Sequence, residues 1–286
     1  MLNEEITQKK LKPLISLAIK EDLGEGDIGE GDITSNAIFG NTNNSESIII
    51  AKENGIFCGG PLIKLIYEEI DTSLKITVFK NDGDEVIKNT EVARIEGQTK
   101  SILNGERIVL NFIQHMSGIA TKTKIFCSLI QGTEIKILDT RKTLPAFRML
   151  DKYSVKKGGG QNHRLGLFDM VLIKDNHIKA AGSITEAVTC VRKKYGEKYI
   201  IEVETTNLDE VNEAVETGID IIMLDNMSKD TMEKAIDLIR GRSKIEVSGN
   251  IDEERIKKIK DLNIDYISIG ALTHSVKSLD LSMKFS

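Results

Sequence analysis

Short runs rich in Ile and Val recur through the second half of this chain, separated in its later part by stretches with helical spacing. The runs are EIKILDT (134–140), MVLIKDN (170–176), YIIEVET (199–205), IDIIMLDN (219–226), SKIEVSGN (243–250) and IDYISIGA (264–271). Between the later runs apolar residues return every three or four positions. Ile184, Ala187, Val188 and Val191 form one such set, and Leu208, Val211, Ala214 and Val215 another. Met232, Ala235, Ile236 and Ile239 form a third, followed by Ile256, Ile259 and Leu262. Ser183, Asn207 and Ser228 stand where these helices should start, and Gly196, Gly218 and Gly241 where they should stop. Strand and helix in alternation specify βαβ units and a parallel sheet. Near-continuous apolar strands predict burial on both faces. Six strands are too few for a closed eight-stranded barrel, which leaves an open, incomplete barrel or a doubly wound sheet.

The first hundred residues follow a different pattern. Leu11, Leu14, Ile15 and Ala18 mark a helix that leads into the Gly-rich acidic run EDLGEGDIGEGDIT (21–34). Strand-like pieces follow at 47–52, 74–80 and 91–97, with a turn signal at Asn81-Asp82-Gly83. A smaller α+β domain is therefore expected over residues 1–110, with an α/β catalytic domain over 111–274. A long helix from about Asn104 to Gln131 should join them. The tail, 275–286, is expected to return to the first domain.

Composition narrows the function. The net charge is −5, only 5% of residues are aromatic and Trp is absent, so neither phosphate-backbone attraction nor a base-stacking platform is indicated. Cys58, Cys127 and Cys190 are odd in number and widely spaced, which suits neither a disulfide framework nor a clustered metal site. The opening MLNEEITQKK has no apolar run, and no apolar stretch approaches the roughly 20 residues that span a bilayer. A cytoplasmic location without membrane association is expected.

In parallel β/α sheets and barrels the working groups lie past the carboxyl ends of the strands. Those positions hold Thr140, Arg141 and Lys142 after the first run, and Lys174 after the second. The third offers Glu202 and Glu204 and the fourth Asp225 and Asn226; the fifth closes on Ser248, Gly249 and Asn250, and the sixth on Ser268, Ile269, Gly270 and Ala271. Residues 139–179 carry nine Lys/Arg against four acids, a positive segment in an acidic chain, which argues for an anionic small molecule. Arg suits carboxylates because its planar fork donates two parallel hydrogen bonds. The plain alternative for any one of these lysines is a solvated basic face. In KKGGGQNHRLGLFD (156–169) three glycines permit close backbone approach. A flexible linker is the alternative, but the run leads directly into His163 and Arg164, which could recognise a second carboxylate. Glu204 and Asp225 suit Mg²⁺ held through substrate phosphates, ribose hydroxyls, or an oxocarbenium-like transition state; a structural ion pair is their alternative. The Ser/Gly turns on the last two strands suit a phosphate.

These stretches resemble the quinolinate phosphoribosyltransferase family. The matching segments are EGDIT (30–34), ERIVLNFIQHMSGIAT (106–121), DTRKTLPAFR (139–148), KKGGGQNHRLGLFD (156–169), VLIKDNHI (171–178), IEVE (201–204), MLDN (223–226), EVSGNI (246–251) and ISIGALTHS (267–275). GGGQNHR and IKDNHI are the most diagnostic. The resemblance implies an N-terminal α/β sandwich-like domain followed by an open, roughly seven-stranded α/β barrel, the type II phosphoribosyltransferase architecture. It also implies a homodimer or higher oligomer, each site completed by its neighbour, and Mg²⁺ accompanying phosphoribosyl pyrophosphate. Quinolinate would be held by Arg141, Lys142, His163, Arg164 and Lys174, with Arg107 reaching from the partner chain. Glu204 and Asp225 would face the ribose, and residues 248–250 and 268–270 the phosphate, with Lys142, Glu204 and Asp225 as the catalytic groups. The implied products are nicotinate mononucleotide, pyrophosphate and carbon dioxide.

Three positions depart from the family pattern. EGDIGEGDI (25–33) looks like a local duplication, Ala146-Phe147 replaces a glycine-containing pair, and Asn250 replaces a frequent glycine. Rival readings are a sister phosphoribosyltransferase acting on nicotinate or another small acid, a Schiff-base aldolase using Lys174, and a non-catalytic dicarboxylate-binding protein.

Overall fold

The computed structural model describes residues 8–24, 31–40 and 42–285, so most of the duplicated EGDI stretch (25–30) lies outside the described residues. The chain divides into two compact units. One takes the described residues up to Lys124, the insertion Leu144–Gly159 and the tail from Val276; the other takes Ile125–Thr143 and Gly160–Ser275. The sequence suggests a boundary near residue 110 and a tail, 275–286, that returns to the first domain. The long helix carries the first unit further, and the insertion brings in a segment that no local signal marks.

In the first unit α1 (Gln8–Leu23) and α2 (Ile33–Ile38) precede β1 (Asn44–Ala51), β2 (Gly55–Ile56) and α3 (Gly60–Ile70). Then come β3 (Lys75–Val78), β4 (Glu85–Val86), β5 (Glu91–Gln98) and α4 (Thr99–Leu129), which starts five residues before the sequence pattern suggests. The insertion supplies α5 (Arg148–Lys157). The tail supplies the final strand, β12 (Leu281–Phe285), which pairs antiparallel with β1 and completes a four-stranded sheet of order β12-β1-β5-β3. Ile49, Leu62, Ile66, Tyr67, Ile95, Ile113, Met116, Leu150 and Leu281 pack into its core. Gly158, at the end of α5, lies against α4: a Cβ there would sit 2.4 Å from the Ala120 carbonyl oxygen. Close approach, rather than linker flexibility, explains the first glycine of the triplet.

The second unit contains β6 (Lys136–Leu138), β7 (Val171–Ile173), α6 (Asp175–Ala181), α7 (Ile184–Tyr195), β8 (Ile201–Thr205), α8 (Leu208–Glu216) and β9 (Ile221–Asp225). It continues through α9 (Lys229–Ile239), β10 (Lys244–Ser248), α10 (Glu253–Ile259), β11 (Tyr266–Ser268) and α11 (Ala271–His274). Ser183, Asn207 and Ser228 cap α7, α8 and α9 through their side chains. Gly196, Gly218 and Gly241 adopt positive φ just past the same helices. The six strands form one parallel sheet of order β6-β11-β10-β9-β8-β7. From β7 to β11 each strand lies beside its predecessor, without the reversal that a doubly wound sheet requires. The winding is that of a barrel left open between β6 and β7. Among the described residues there are six strands, not seven. Gln161 makes a single parallel bridge to Leu138, on the edge of β6 that does not face β11.

Candidate active site

Period-two alternation decides which side chains the strands of the second unit turn toward its cavity. Leu172 and Lys174 from β7 and its end, Glu204 from β8, Met223 and Asp225 from β9, and Glu246 and Ser248 from β10 line a cavity of about 660 Å³. Ser268 and Gly270 continue the series from β11, and Thr140 from β6. Val203, Ile222, Leu224, Val247 and Ile267, in the opposite phase, are fully buried and form the sheet's apolar face. The apolar strand residues therefore build the scaffold, while the interrupting polar ones build the pocket.

Of the residues expected at the site, Thr140, Arg141, Lys142, His163, Arg164, Lys174, Glu204, Asp225, Ser248, Gly249, Asn250, Ser268 and Gly270 line this one cavity. Ile269 does not: it is buried, and its backbone N–H donates to the Leu138 carbonyl at 3.0 Å, tying β11 to β6. Arg107 is exposed on α4, in the other unit, and is not among the lining residues. The positive segment is also divided. Arg148, Lys152, Lys156 and Lys157 belong to α5 of the first unit, whereas Arg141, Lys142, Arg164 and Lys174 face the cavity.

Local structure explains how the cations are held. The Thr140 hydroxyl accepts the Lys142 N–H at 3.1 Å, and the Thr273 hydroxyl donates to the Lys142 carbonyl at 2.7 Å, which fixes the loop after β6. Buried Asp139 accepts the His163 N–H at 3.0 Å, setting the loop that carries His163 and Arg164. Arg164 is itself buried, and desolvation, followed by the charge of Arg141, lowers its pKa from the ordinary arginine value. Two guanidinium groups close enough to repel are organised for an anion between them. Lys174 caps α6, and the His177 ring reaches back to accept the Lys174 N–H at 3.0 Å, which explains the KDNH sequence. The Lys174 ammonium pairs with Glu204 at 2.7 Å and is half-exposed, unlike the desolvated amine of a Schiff-base enzyme.

Asp225 is oriented by a chain of amides. Asn250 donates to the Asn226 side-chain oxygen at 3.0 Å, and Asn226 donates to Asp225 at 2.8 Å. Asn226 and Asn250 both have positive φ, 55° and 47°, a region Asn tolerates, so Asn250 fills a conformation that glycine also fits. Gly249 between them is obligatory: its φ is +87°, and a Cβ would come within 2.3 Å of the Asn226 side chain. Ala146, the other position where glycine is expected, also has a left-handed φ of 63°.

Beneath these groups lies a cluster of which reading only the strand ends offers Glu202 but misses Glu246. Glu202 and Glu246, on β8 and β10, are fully buried, with His163 close to both. The His163 Nε2 lies 2.9 Å from Glu202 and 3.5 Å from Glu246. Desolvation, partly offset by Arg164, pushes the Glu202 pKa up to about 8. Desolvation and then the charge of Glu202 push Glu246 up to about 8. The signal was present, since Glu202 and Glu246 lie two residues before Glu204 and Ser248, in phase with them. Asn226, from the fourth strand end, also lines the cavity, as does His274, which the strand ends do not include.

The quinolinate phosphoribosyltransferase N-terminal domain matches residues 32–117 and the C-terminal domain of the same enzyme matches residues 119–284. The chain belongs to the quinolinate phosphoribosyltransferase family. A Bacillus subtilis protein named probable nicotinate-nucleotide pyrophosphorylase [carboxylating] is 46% identical, over 96% of this chain and 93% of its own. A quinolinate phosphoribosyltransferase [decarboxylating] from Nicotiana tabacum is 45% identical over 96% of this chain and 82% of its own. The crystal structure of NadC from Streptococcus pyogenes superposes with a TM-score of 0.93 at 40% identity, covering 98% of both chains. Both domains are present in this chain, the N-terminal one preceding the C-terminal one.

Proposed function

We propose that this phosphoribosyltransferase joins quinolinate to the ribose of phosphoribosyl pyrophosphate, with loss of carbon dioxide and pyrophosphate, to give nicotinate mononucleotide for NAD synthesis. One observation carries the reading: cations from the β6 and β7 ends and carboxylates from the β8 and β9 ends share a single cavity. Arg141, Lys142, Arg164 and Lys174 provide fixed positive charge for a dicarboxylate and for the departing pyrophosphate. As pyrophosphate leaves, positive charge grows on the sugar, and Glu204 and Asp225 are suited to stabilise it while the ring nitrogen bonds to the anomeric carbon. Backbone N–H groups in the 248–250 and 268–270 turns are suited to the sugar phosphate. The engagement of both His163 ring nitrogens favours a supporting role for that residue over direct carboxylate recognition.

Glu204 and Asp225 also fit Mg²⁺, which takes oxygen ligands and is commonly held by one or two carboxylates together with substrate phosphates. Bound there it would neutralise charge on the pyrophosphate. We further infer a cytoplasmic homodimer in which Arg107 of one subunit completes the site of its partner. No disulfide joins the three cysteines, which suits a reducing compartment. No described helix is long and apolar enough to cross a membrane.

The test supplies Mg²⁺ and phosphoribosyl pyrophosphate, offers quinolinate and nicotinate separately, and identifies the nucleotide by mass. Quinolinate should yield nicotinate mononucleotide with equimolar carbon dioxide. Turnover of nicotinate but not quinolinate would transfer the assignment to a sister enzyme.

A further inference from the structure

The His163–Glu202–Glu246 cluster raises a question that substrate binding alone does not answer: why two carboxyls lie fully buried at the floor of an anion site. Glu202 Oε1 and both Glu246 carboxyl oxygens are buried without a hydrogen-bond donor. Two such groups cannot both remain ionised in a desolvated site, so the cluster must take up either a metal ion or a proton. The histidine decides between them. A backbone N–H can only donate, and that of Arg164 donates to His163 Nδ1 at 2.8 Å. The ring proton of neutral His163 is therefore on Nε2, where it is donated to Glu202 at 2.9 Å. A protonated Nε2 cannot ligate a metal, so the cluster is built for a proton.

The neighbours also assign that proton within the pair. Glu202 accepts the Nε2 proton and feels the positive charges of Arg164 and Lys174, all of which favour its ionised form. Glu246 is farther from His163, faces the Glu202 charge, and is the member of the pair that borders the cavity.

We propose that Glu246, holding the proton it shares with Glu202, is the acid that protonates the ring carbon from which carbon dioxide departs. This rests on the phosphoribosyl-transfer reading above. Once the ring nitrogen carries the ribose, the bond from ring carbon 2 to its carboxylate breaks and carbon dioxide leaves. The electron pair remains on that carbon, beside the cationic nitrogen. The Glu246 O–H proton is transferred to that electron pair in the same step, as the carboxylate bond breaks, so carbon dioxide release depends on the acid; the new C–H bond forms and Glu246 is left as a carboxylate. A proton from water restores it when the product leaves.

The experiment measures pyrophosphate and carbon dioxide release together in single turnovers, for the wild-type protein and for Glu246→Gln, which keeps the shape but has no acidic proton. The wild type should release the two in a ratio of one. In Glu246→Gln the ratio of the initial rates should fall by about 100-fold, the scale of general-acid catalysis, with a carboxylated nucleotide accumulating in the mass spectrum. A ratio that stays at one overturns the proposal, whereas absence of quinolinate-dependent pyrophosphate in the wild type overturns the underlying reading instead. Should the variant fail to fold, the wild type alone still decides. Its carbon dioxide step should slow above about pH 8, as Glu246, faced by Glu202, His163 and Ser268, with Arg164, Lys174 and Glu204 around Glu202, loses the shared proton. A carbon dioxide rate that is flat from pH 6 to about 10 overturns it.

Discussion

Individual residues in the cavity separate binding from turnover. Arg141→Ala removes a fork-shaped donor from an anion site, and charge-assisted hydrogen bonds contribute about 1.5–3 kcal/mol. Calorimetric titration should show quinolinate affinity falling by about 10–100-fold; unchanged affinity would exclude Arg141 from the carboxylate site. Glu204→Ala removes charge that matters most in the transition state, so kcat should fall by about 100-fold or more while quinolinate affinity changes far less. The buried acids leave a mark on stability as well. Glu246 has an ordinary pKa of 4.5 and a folded value of about 8, so between those pH values the folded state holds a proton that the unfolded chain has lost. Its contribution therefore falls as pH rises from 4.5 toward 8, by at most about 1.4 kcal/mol per pH unit. Glu246→Gln removes that dependence. Denaturant titrations at pH 5 and pH 8 should show the variant gaining on the wild type at the higher pH, and the opposite trend would refute the buried, protonated acid.

Among the elements, the junction of α5 with α4 is the least tolerant of added volume. The missing Cβ of Gly158 lets α5 end against the Ala120 carbonyl and the Thr123 side chain, and both contacts would be under 3 Å with alanine in its place. Gly158→Ala should destabilise the first unit by about 1–3 kcal/mol, the usual cost of overpacking, read as a lower urea midpoint at an unchanged slope. Helix signals in the sequence were reliable where short-range chemistry sets them. The Ser and Asn caps of α7, α8 and α9 each bond the N–H three residues on, which requires no distant partner. By contrast, α5 has a weakly apolar sequence and is held by buried Leu150 and Tyr153, whose partners come from elsewhere in the first unit. The pairing of β12 with β1 joins positions more than two hundred residues apart, and no local pattern encodes that register.

For the whole molecule, the proposed sharing of Arg107 between subunits makes a prediction that a self-sufficient monomer would not meet. Arg107→Ala and Glu204→Ala should each be nearly inactive alone. Subunits of the two, unfolded together and refolded as a mixture, should recover activity approaching about a quarter of the wild-type value, because random pairing rebuilds one intact site in half of the dimers. No recovery, in a protein whose dimers are seen by light scattering, would place Arg107 outside the site. The βα grammar, the helix caps and the polar residues at strand ends were legible in the residue order alone, because periodicity, capping and turn chemistry act over a few neighbours. The match of DTRKTLPAFR, GGGQNHR and IKDNHI to a known family determined the chemistry. Long-range packing was needed to set that the sheet winds one way and stays open, that 144–159 joins the first unit, and that Glu202 and Glu246 meet beneath His163. Those outcomes depend on which strands become neighbours and on how completely they exclude water. Both are set by packing between distant segments, and so is the uptake of a proton by two glutamates that would be ordinary acids in an extended chain.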